Sequence, residues 1–224
     1  MSEPSPAVSH RWDITPREAI ALQGELREQI VLRASRKTPR FVAGTDVGFP
    51  EKGRVTRGAL VVLSFPALEL VDEAVVEIPT RFPYVPGLLS FREAPVLLAA
   101  LGALRITPDV LLCDGQGLAH PRRFGLACHL GLLTGIPAIG VAKSRLVGEH
   151  GEPGPARGDH TPLRHKGERI GSVLRTRDGV NPLYVSPGHL MSHARALSLT
   201  LACCTRYRLP ETTRLADKLA SRGR

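Results

Sequence analysis

Apolar positions along the first third of the chain follow two spacings. Ile20, Leu26, Ile30 and Val31 fall at roughly helical intervals. Thr15-Pro16-Arg17-Glu18 gives that stretch a start, with a threonine cap, a proline in the first turn and a glutamate that closes a capping box. The pattern predicts a helix to about Arg33. Phe41 to Val47, Ala59 to Phe65 and Leu70 to Ile78 then have strand character, and their short charged or proline-containing links suit an antiparallel meander.

From Ser90 to Arg105 the spacing of Val96, Leu97, Leu101 and Leu104 is helical again. Pro108 separates it from a buried-strand run, Val110 to Cys113. A helix over Phe124 to Leu133 and a strand over Pro137 to Val141 come next, and strand, helix, strand implies parallel pairing with a right-handed crossover. Gly148 to Gly167, rich in Gly, Pro, Arg and His, reads as a mobile surface excursion. Ile170 to Thr176 and Leu183 to Val185 form a predicted strand pair, and Ser192 to Thr205 and Thr213 to Ser221 predicted helices. The expected class is α/β, a mixed sheet whose antiparallel meander is continued by parallel strands, with helices on both faces.

Length and composition narrow the class of protein. At 224 residues a single domain over 1–224 is expected. Hydrophobic residues at 42% and charged residues at 23% exclude a wholly disordered or collagen-like chain. Arg92, Glu93, Arg105, Lys143 and Arg145 interrupt the most apolar stretches, so no membrane span is expected. The opening MSEPSPAVSHRWD lacks a basic region followed by an apolar one, which points to a cytoplasmic protein. Cys113, Cys128, Cys203 and Cys204 form no C-x-x-C pair and read as buried thiols. A net charge of +9 creates a field that draws polyanions such as nucleic acid.

Candidate chemistry begins with Asp46. Strand alternation in Val42-Ala43-Gly44-Thr45-Asp46-Val47-Gly48 puts Gly44, Asp46 and Gly48 on one face, leaving room above the carboxylate for a ligand. A mid-strand aspartate is costly to bury unless it is paired or holds a metal, although a salt-bridged aspartate at a sheet edge fits equally. Asp114 ends the run Val110-Leu111-Leu112-Cys113 and precedes Gly115-Gln116-Gly117, at the carboxyl end of a strand where α/β sheets collect ligands. Alone it is an ordinary Asp-Gly turn. Together, two acids on neighbouring strands can converge on a divalent ion, and oxygen-only ligands favour Mg²⁺ or Mn²⁺.

Other candidates carry a plain alternative. Glu93 near a helix start and Asp217 in the last helix both suit solvated charges, yet several acids in a basic protein suit metal-assisted phosphodiester hydrolysis. Tyr84, between Pro83 and Val85-Pro86, is a stiff aromatic able to enter a base stack, or else packed on its own domain. Lys143 follows a strand end and His120 follows the Asp114 loop; each reads as phosphate-facing, or as a surface charge and a turn histidine. His189 and His193, four apart on a helix, lack an H-E-x-x-H pattern, and His193 reads as structural. No P-loop, G-x-S-x-G elbow or dinucleotide fingerprint is present.

These residues sit in motifs that closely resemble the endonuclease V family, deoxyinosine-directed nucleases. The resemblance runs through His10-Arg11-Trp12-Asp13, Val42 to Asp46, Phe82 to Glu93, Asp114 to Arg122, Gly140 to Leu146, Val185 to His189 and Pro210 to Asp217. It implies a ribonuclease H-like fold, Mg²⁺ (with Mn²⁺ substituting) on Asp46 and Asp114, and Glu93 completing the acidic cluster. By the same resemblance Asp217 fills a position taken by His or Asp, and Lys143 and His120 lie near the scissile phosphate. It makes the loop around Tyr84, with Pro83, Val85 and Pro86, a DNA wedge. Gly87, Leu89, Gly115, Gly117 and Leu126 then form the pocket for a flipped hypoxanthine. The implied activity is hydrolysis on the 3′ side of deoxyinosine, leaving 5′-phosphate ends and initiating DNA repair. The implied partner is DNA carrying deoxyinosine or other deaminated bases, bound by a monomer. An inosine-preferring endoribonuclease and a non-catalytic lesion-binding protein are the alternatives.

Overall fold

The computed structural model describes residues 8–221; the first seven residues, where the opening stretch was read for a targeting signal, lie outside it. Helix α1 (Pro16–Arg27) leads into strands β1 (Phe41–Gly48), β2 (Val55–Ser64) and β3 (Leu70–Pro79). Helix α2 (Leu89–Gly102), strand β4 (Val110–Cys113), helix α3 (Leu126–Thr134) and strand β5 (Ala138–Ala142) follow. Strands β6 (His160–His165), β7 (Glu168–Leu174) and β8 (Leu183–Pro187) and helices α4 (His193–Ala202) and α5 (Glu211–Ala220) complete the described chain. The strands make one sheet in the order β3-β2-β1-β4-β5-β8-β7-β6. β1, β2 and β3 pair antiparallel, as the meander predicts, and β1-β4 and β4-β5 pair parallel. β8 and β7 extend the sheet antiparallel.

Period-two alternation sorts the core onto two faces. Val42, Val61, Leu112 and Ile139 pack with Ala196 and Leu199 of α4 and Ala216 and Leu219 of α5. Ala43, Leu60, Leu111 and Ala138 face the other way, against Ala94 and Leu97 of α2 and Leu130 of α3. Both faces of the central strands are therefore covered, which is why these strands read as continuous apolar runs. All four cysteines are free and buried, and no helix among the described residues is long and apolar enough to cross a membrane.

Three expectations need correction. The capping box forms, with Thr15 and Glu18 each bonding the other's backbone N–H, but α1 ends at Arg27. The β-branched pair Ile30-Val31 does not extend it, and the Val31 N–H instead donates to His189 Nδ1 at 3.3 Å. Gly148 to Gly167 is ordered structure, not a mobile excursion. It contains β6, paired with β7, and Glu149 bridges Arg164. The buried Arg175 guanidinium grips its start through Gly154 O at 3.0 Å, Pro153 O at 3.0 Å and Glu152 Oε1 at 2.8 Å. Finally, His189 precedes α4, so it does not share a helix face with His193.

Candidate active site

Sheet register brings the first two acids together. Thr45 of β1 stands beside Cys113 of β4, so Asp46 and Asp114 are the next residues in line. The Asp114 N–H donates to Thr45 O at 3.2 Å, which ties the turn to β1. Asp217 arrives from α5. The space above Gly44 is filled by the start of that helix: a Cβ on Gly44 would lie 2.1 Å from Thr212 C and O and 2.6 Å from Thr213 N. The side-chain-free position thus admits a helix, not a ligand. Thr213 and Asp217 are one helical turn apart, about 6 Å. Gly44 and Asp46 span two strand residues, about 6.7 Å. A helix seated on Gly44 therefore carries Asp217 to Asp46.

Oxygens of Asp46, Asp114 and Asp217 lie within 4.8 Å of one another. Lys143, just beyond β5, places Nζ 2.6 Å from Asp114 Oδ2 and 3.7 Å from Asp217 Oδ1. Burial lifts Asp46 to about 7, with the charges of Asp114 and Asp217 adding to the rise and Lys143 opposing it. Burial of the Lys143 ammonium works against its charge, but Asp114, Asp217 and Asp46 outweigh it and hold its pKa above the ordinary value. Glu93, on α2, is outside the triad and only 7% exposed. Burial, then the charges of Asp46 and Asp114, push it up to about 8. A single ammonium does not balance three crowded carboxylates, so their mutual repulsion adds to the rise that burial gives Asp46. This oxygen-only donor set fits a hard divalent cation.

Beside the triad opens a cavity of about 410 Å³ whose wall includes Gly87, Leu89, Gly115, Leu126, Asp114 and Lys143. The loop before α2 forms its rim. Phe82 and Leu88 anchor both ends of that loop in a cluster with Ala19 and Phe91. Between the anchors Pro83 and Pro86 are exposed, Val85 is half-buried, and Tyr84 projects with 70% of its surface free. It is not packed on its own domain. Gly87, at φ +79°, turns its carbonyl to three donors: Arg122 Nη2 at 2.7 Å, His120 Nε2 at 3.0 Å and Gln23 Nε2 at 3.1 Å.

His120 has both ring nitrogens engaged, since Nδ1 accepts the Arg122 N–H at 3.2 Å. Burial, then the neighbouring Arg122 charge, depresses its pKa to about 4, so it is neutral at pH 7. Gly117 stands behind the cavity wall, where a Cβ would meet Pro187 O at 2.3 Å. Sequence reasoning missed Gln23 and Arg122, which hold the rim, and Ser144, Arg145 and Leu146, which form the opposite lip. Arg122 lies inside a motif already singled out; Gln23, in an amphipathic helix, carries no sequence signal.

Known proteins share this architecture. Residues 24–218 match the family model described as Endonuclease V. The chain is similar to the endonuclease V of Trichormus variabilis, with 54% identity over 95% of this chain and 96% of that one. Its fold superposes on the crystal structure of endonuclease V from Streptomyces avermitilis with TM-score 0.91 and 45% identity, covering 97% of each chain. The Ciona intestinalis endonuclease V, solved with a 24-mer DNA containing an inosine followed by a ribo-adenosine, matches at TM-score 0.78 and 29% identity. That match covers 91% of this chain and 95% of that one. The expected ribonuclease H-like sheet agrees with these neighbours, and the chain belongs to the endonuclease V family.

Proposed function

We propose that this endonuclease seats a base flipped from DNA at a deoxyinosine in the 410 Å³ cavity and hydrolyses a phosphodiester on the 3′ side at the Asp46, Asp114 and Asp217 cluster. One observation carries the reading. The apolar cavity and the carboxylate cluster share Asp114 and Lys143, so a base held in the first puts its own strand against the second. The displacement between lesion and cut follows from that adjacency. Flipping is cheapest where pairing is weak, as at an inosine mismatch.

Asp46 and Asp114, with Asp217 as a third oxygen donor, would hold Mg²⁺, with Mn²⁺ able to substitute. When bound, the ion lowers the pKa of a water and neutralises charge on the phosphate. The remaining roles belong to the chain. Lys143 turns its ammonium to the phosphate. Glu93 keeps its proton at neutral pH and so limits the repulsion within the cluster. Tyr84, exposed on a loop fixed at both ends, fills the gap left by the flipped base. The backbone of Gly87 and Gly115, with Leu89 and Leu126, walls the base. His120 and Gly117 act on that wall from behind: His120 holds the Gly87 carbonyl and Gly117 seats the 115–117 turn. The basic surface tracks phosphates, and the protein works as a monomer in the cytoplasm.

The test is a 5′-labelled duplex carrying a single deoxyinosine, incubated with and without Mg²⁺. A nick on the 3′ side of the lesion, dependent on the ion, is the expected product. No nick, or a nick at the same rate in the undamaged duplex, refutes the proposal.

A further inference from the structure

A file of hydrogen-bonded side chains leads from the N-terminal segment to the back of the cavity. His10 Nδ1 lies 2.8 Å from the carbonyl oxygen of Arg11, a group that only accepts. Nδ1 therefore carries the hydrogen, and in the tautomer this bond selects Nε2 is the ring's acceptor. His129 Nε2, 2.7 Å away, must donate to it. Burial, then His10, depresses the His129 pKa to about 3, so this histidine is neutral. Its Nδ1 is consequently bare, 3.1 Å from Ser90 Oγ. The Ser90 hydroxyl hydrogen is committed to that nitrogen, and only lone pairs remain on the oxygen. Trp12, Phe91 and Phe124, with ring centroids 5.4, 4.9 and 5.1 Å from that of His129, keep the imidazole from turning. Ser90 lines the cavity and is 3% exposed.

We propose that Ser90 Oγ is the acceptor that reads the N1–H of the base held in the cavity, with His129 and His10 as positioning residues that fix its polarity. The inference rests on the reading of the cavity as a base pocket. Hypoxanthine carries a hydrogen on N1, whereas N1 of adenine is a bare acceptor. With hypoxanthine the Ser90 lone pair is satisfied. With adenine two lone pairs face each other, or the hydroxyl turns and leaves His129 Nδ1 buried without a donor; either arrangement is unfavourable. Guanine shares the N1–H, so Ser90 separates deaminated adenine from adenine and leaves guanine to be excluded by the space around its 2-amino group.

Binding in a chelator, followed by fluorescence anisotropy, isolates recognition from cleavage. Wild type, Ser90→Ala and His10→Phe are titrated against duplexes carrying deoxyinosine, deoxynebularine or an abasic site at one position, and against the undamaged duplex. Nebularine is a purine with a bare N1. Ser90→Ala is expected to weaken deoxyinosine binding about tenfold, the scale of one unsatisfied buried polar group, to leave the abasic duplex unchanged, and to hold or strengthen nebularine binding, because the bare N1 no longer faces a lone pair. His10→Phe, which keeps a ring beside Trp12 and Phe91 and does not line the cavity, should narrow the preference for deoxyinosine over nebularine with abasic binding unchanged. Equal losses on all three modified duplexes would make Ser90 structural and overturn the proposal. A loss confined to nebularine would show that Ser90 donates, which also overturns it. An unaltered preference in His10→Phe overturns the relay. If wild type binds deoxyinosine no better than undamaged DNA, the base-pocket reading itself fails and the inference goes with it.

Discussion

Gly44→Ala tests how the site is assembled without touching any group placed in the chemistry. The new Cβ would lie 2.1 Å from backbone atoms of Thr212, against about 3.4 Å for ordinary contact, so α5 must retreat by roughly 1.3 Å (3.4 − 2.1) or β1 must bend. Neither neighbour is the free end of a side chain. Overpacking of this kind costs about 1 to 3 kcal/mol. For a chain of this size, that lowers Tm by about 2 to 4 °C per kcal/mol. The larger effect falls on Asp217. Ligands held about 2.1 Å from one Mg²⁺ lie at most about 4.2 Å apart, so oxygens already spread over as much as 4.8 Å have no slack, and a further 1.3 Å would take Asp217 out of reach. Misplacement by about 1 Å can cost 10²-fold in rate. Single-turnover nicking of a deoxyinosine duplex, with thermal melting of the same preparation, measures both. Binding in a chelator should hold, because the cavity is walled by other elements. Wild-type nicking together with wild-type Tm would show that Gly44 does not set the position of α5, and the account of how Asp217 reaches Asp46 would have to be abandoned.

Asp46→Ala or Asp114→Ala should lower nicking beyond the roughly 10- to 100-fold typical of changes to outer-shell partners of a metal site, while lesion binding in a chelator survives; full activity in either variant contradicts their assignment as ligands. Tyr84→Ala should weaken binding to deoxyinosine duplexes by about 1 to 3 kcal/mol, as loss of one stacked aromatic does, and an unchanged Kd would leave the exposed ring without a role. Asp46 and Glu93 are raised to about 7 and about 8, so the native state keeps protons that the unfolded chain releases near pH 4. Ion-free stability should therefore fall as pH rises from about 4 through 8. A divalent ion must displace the Asp46 proton, so the Tm gain from Mg²⁺ should grow between pH 6 and pH 8, and a gain independent of pH in thermal melts would refute the coupling.

The strands that build the site were legible because both of their faces pack. Val42, Leu112 and Ile139 on one side and Ala43, Leu111 and Ala138 on the other leave no polar break. Asp46 stood out as a carboxylate inside one such run and Asp114 as the polar end of another. β6 was not legible: it is an edge strand with only Leu163 fully buried, and its charges imitate a loop. The end of α1 was misread because Ile30 continues the apolar spacing while packing from outside the helix against Leu26 and Phe124. Gly44 was read as room for a ligand, since nothing in a strand pattern says which neighbour will fill the space above it. The grip of Gln23, His120 and Arg122 on one carbonyl joins positions up to 99 residues apart, and no local period encodes it.

On the proposed reading, recognition and chemistry are joined in this fold by a single short turn, and that has a consequence for where the cut falls. Asp114 belongs to the carboxylate cluster, while Gly115 and Gln116 wall the cavity. The turn cannot slide, because the Asp114 N–H is bonded to β1 and the turn rests on Gly140 of β5. A Cβ on Gly140 would sit 2.3 Å from Gly117 N and 2.8 Å from Gly115 O. A loop that closed on its substrate could adjust the distance between base and scissile phosphate. Here that distance is set by the lateral packing of three strands. On the proposed reading, the offset of the nick from the lesion is then a property of the sheet, indifferent to which base occupies the cavity. A poorly accepted base should be cut slowly at the same position, not at a different one.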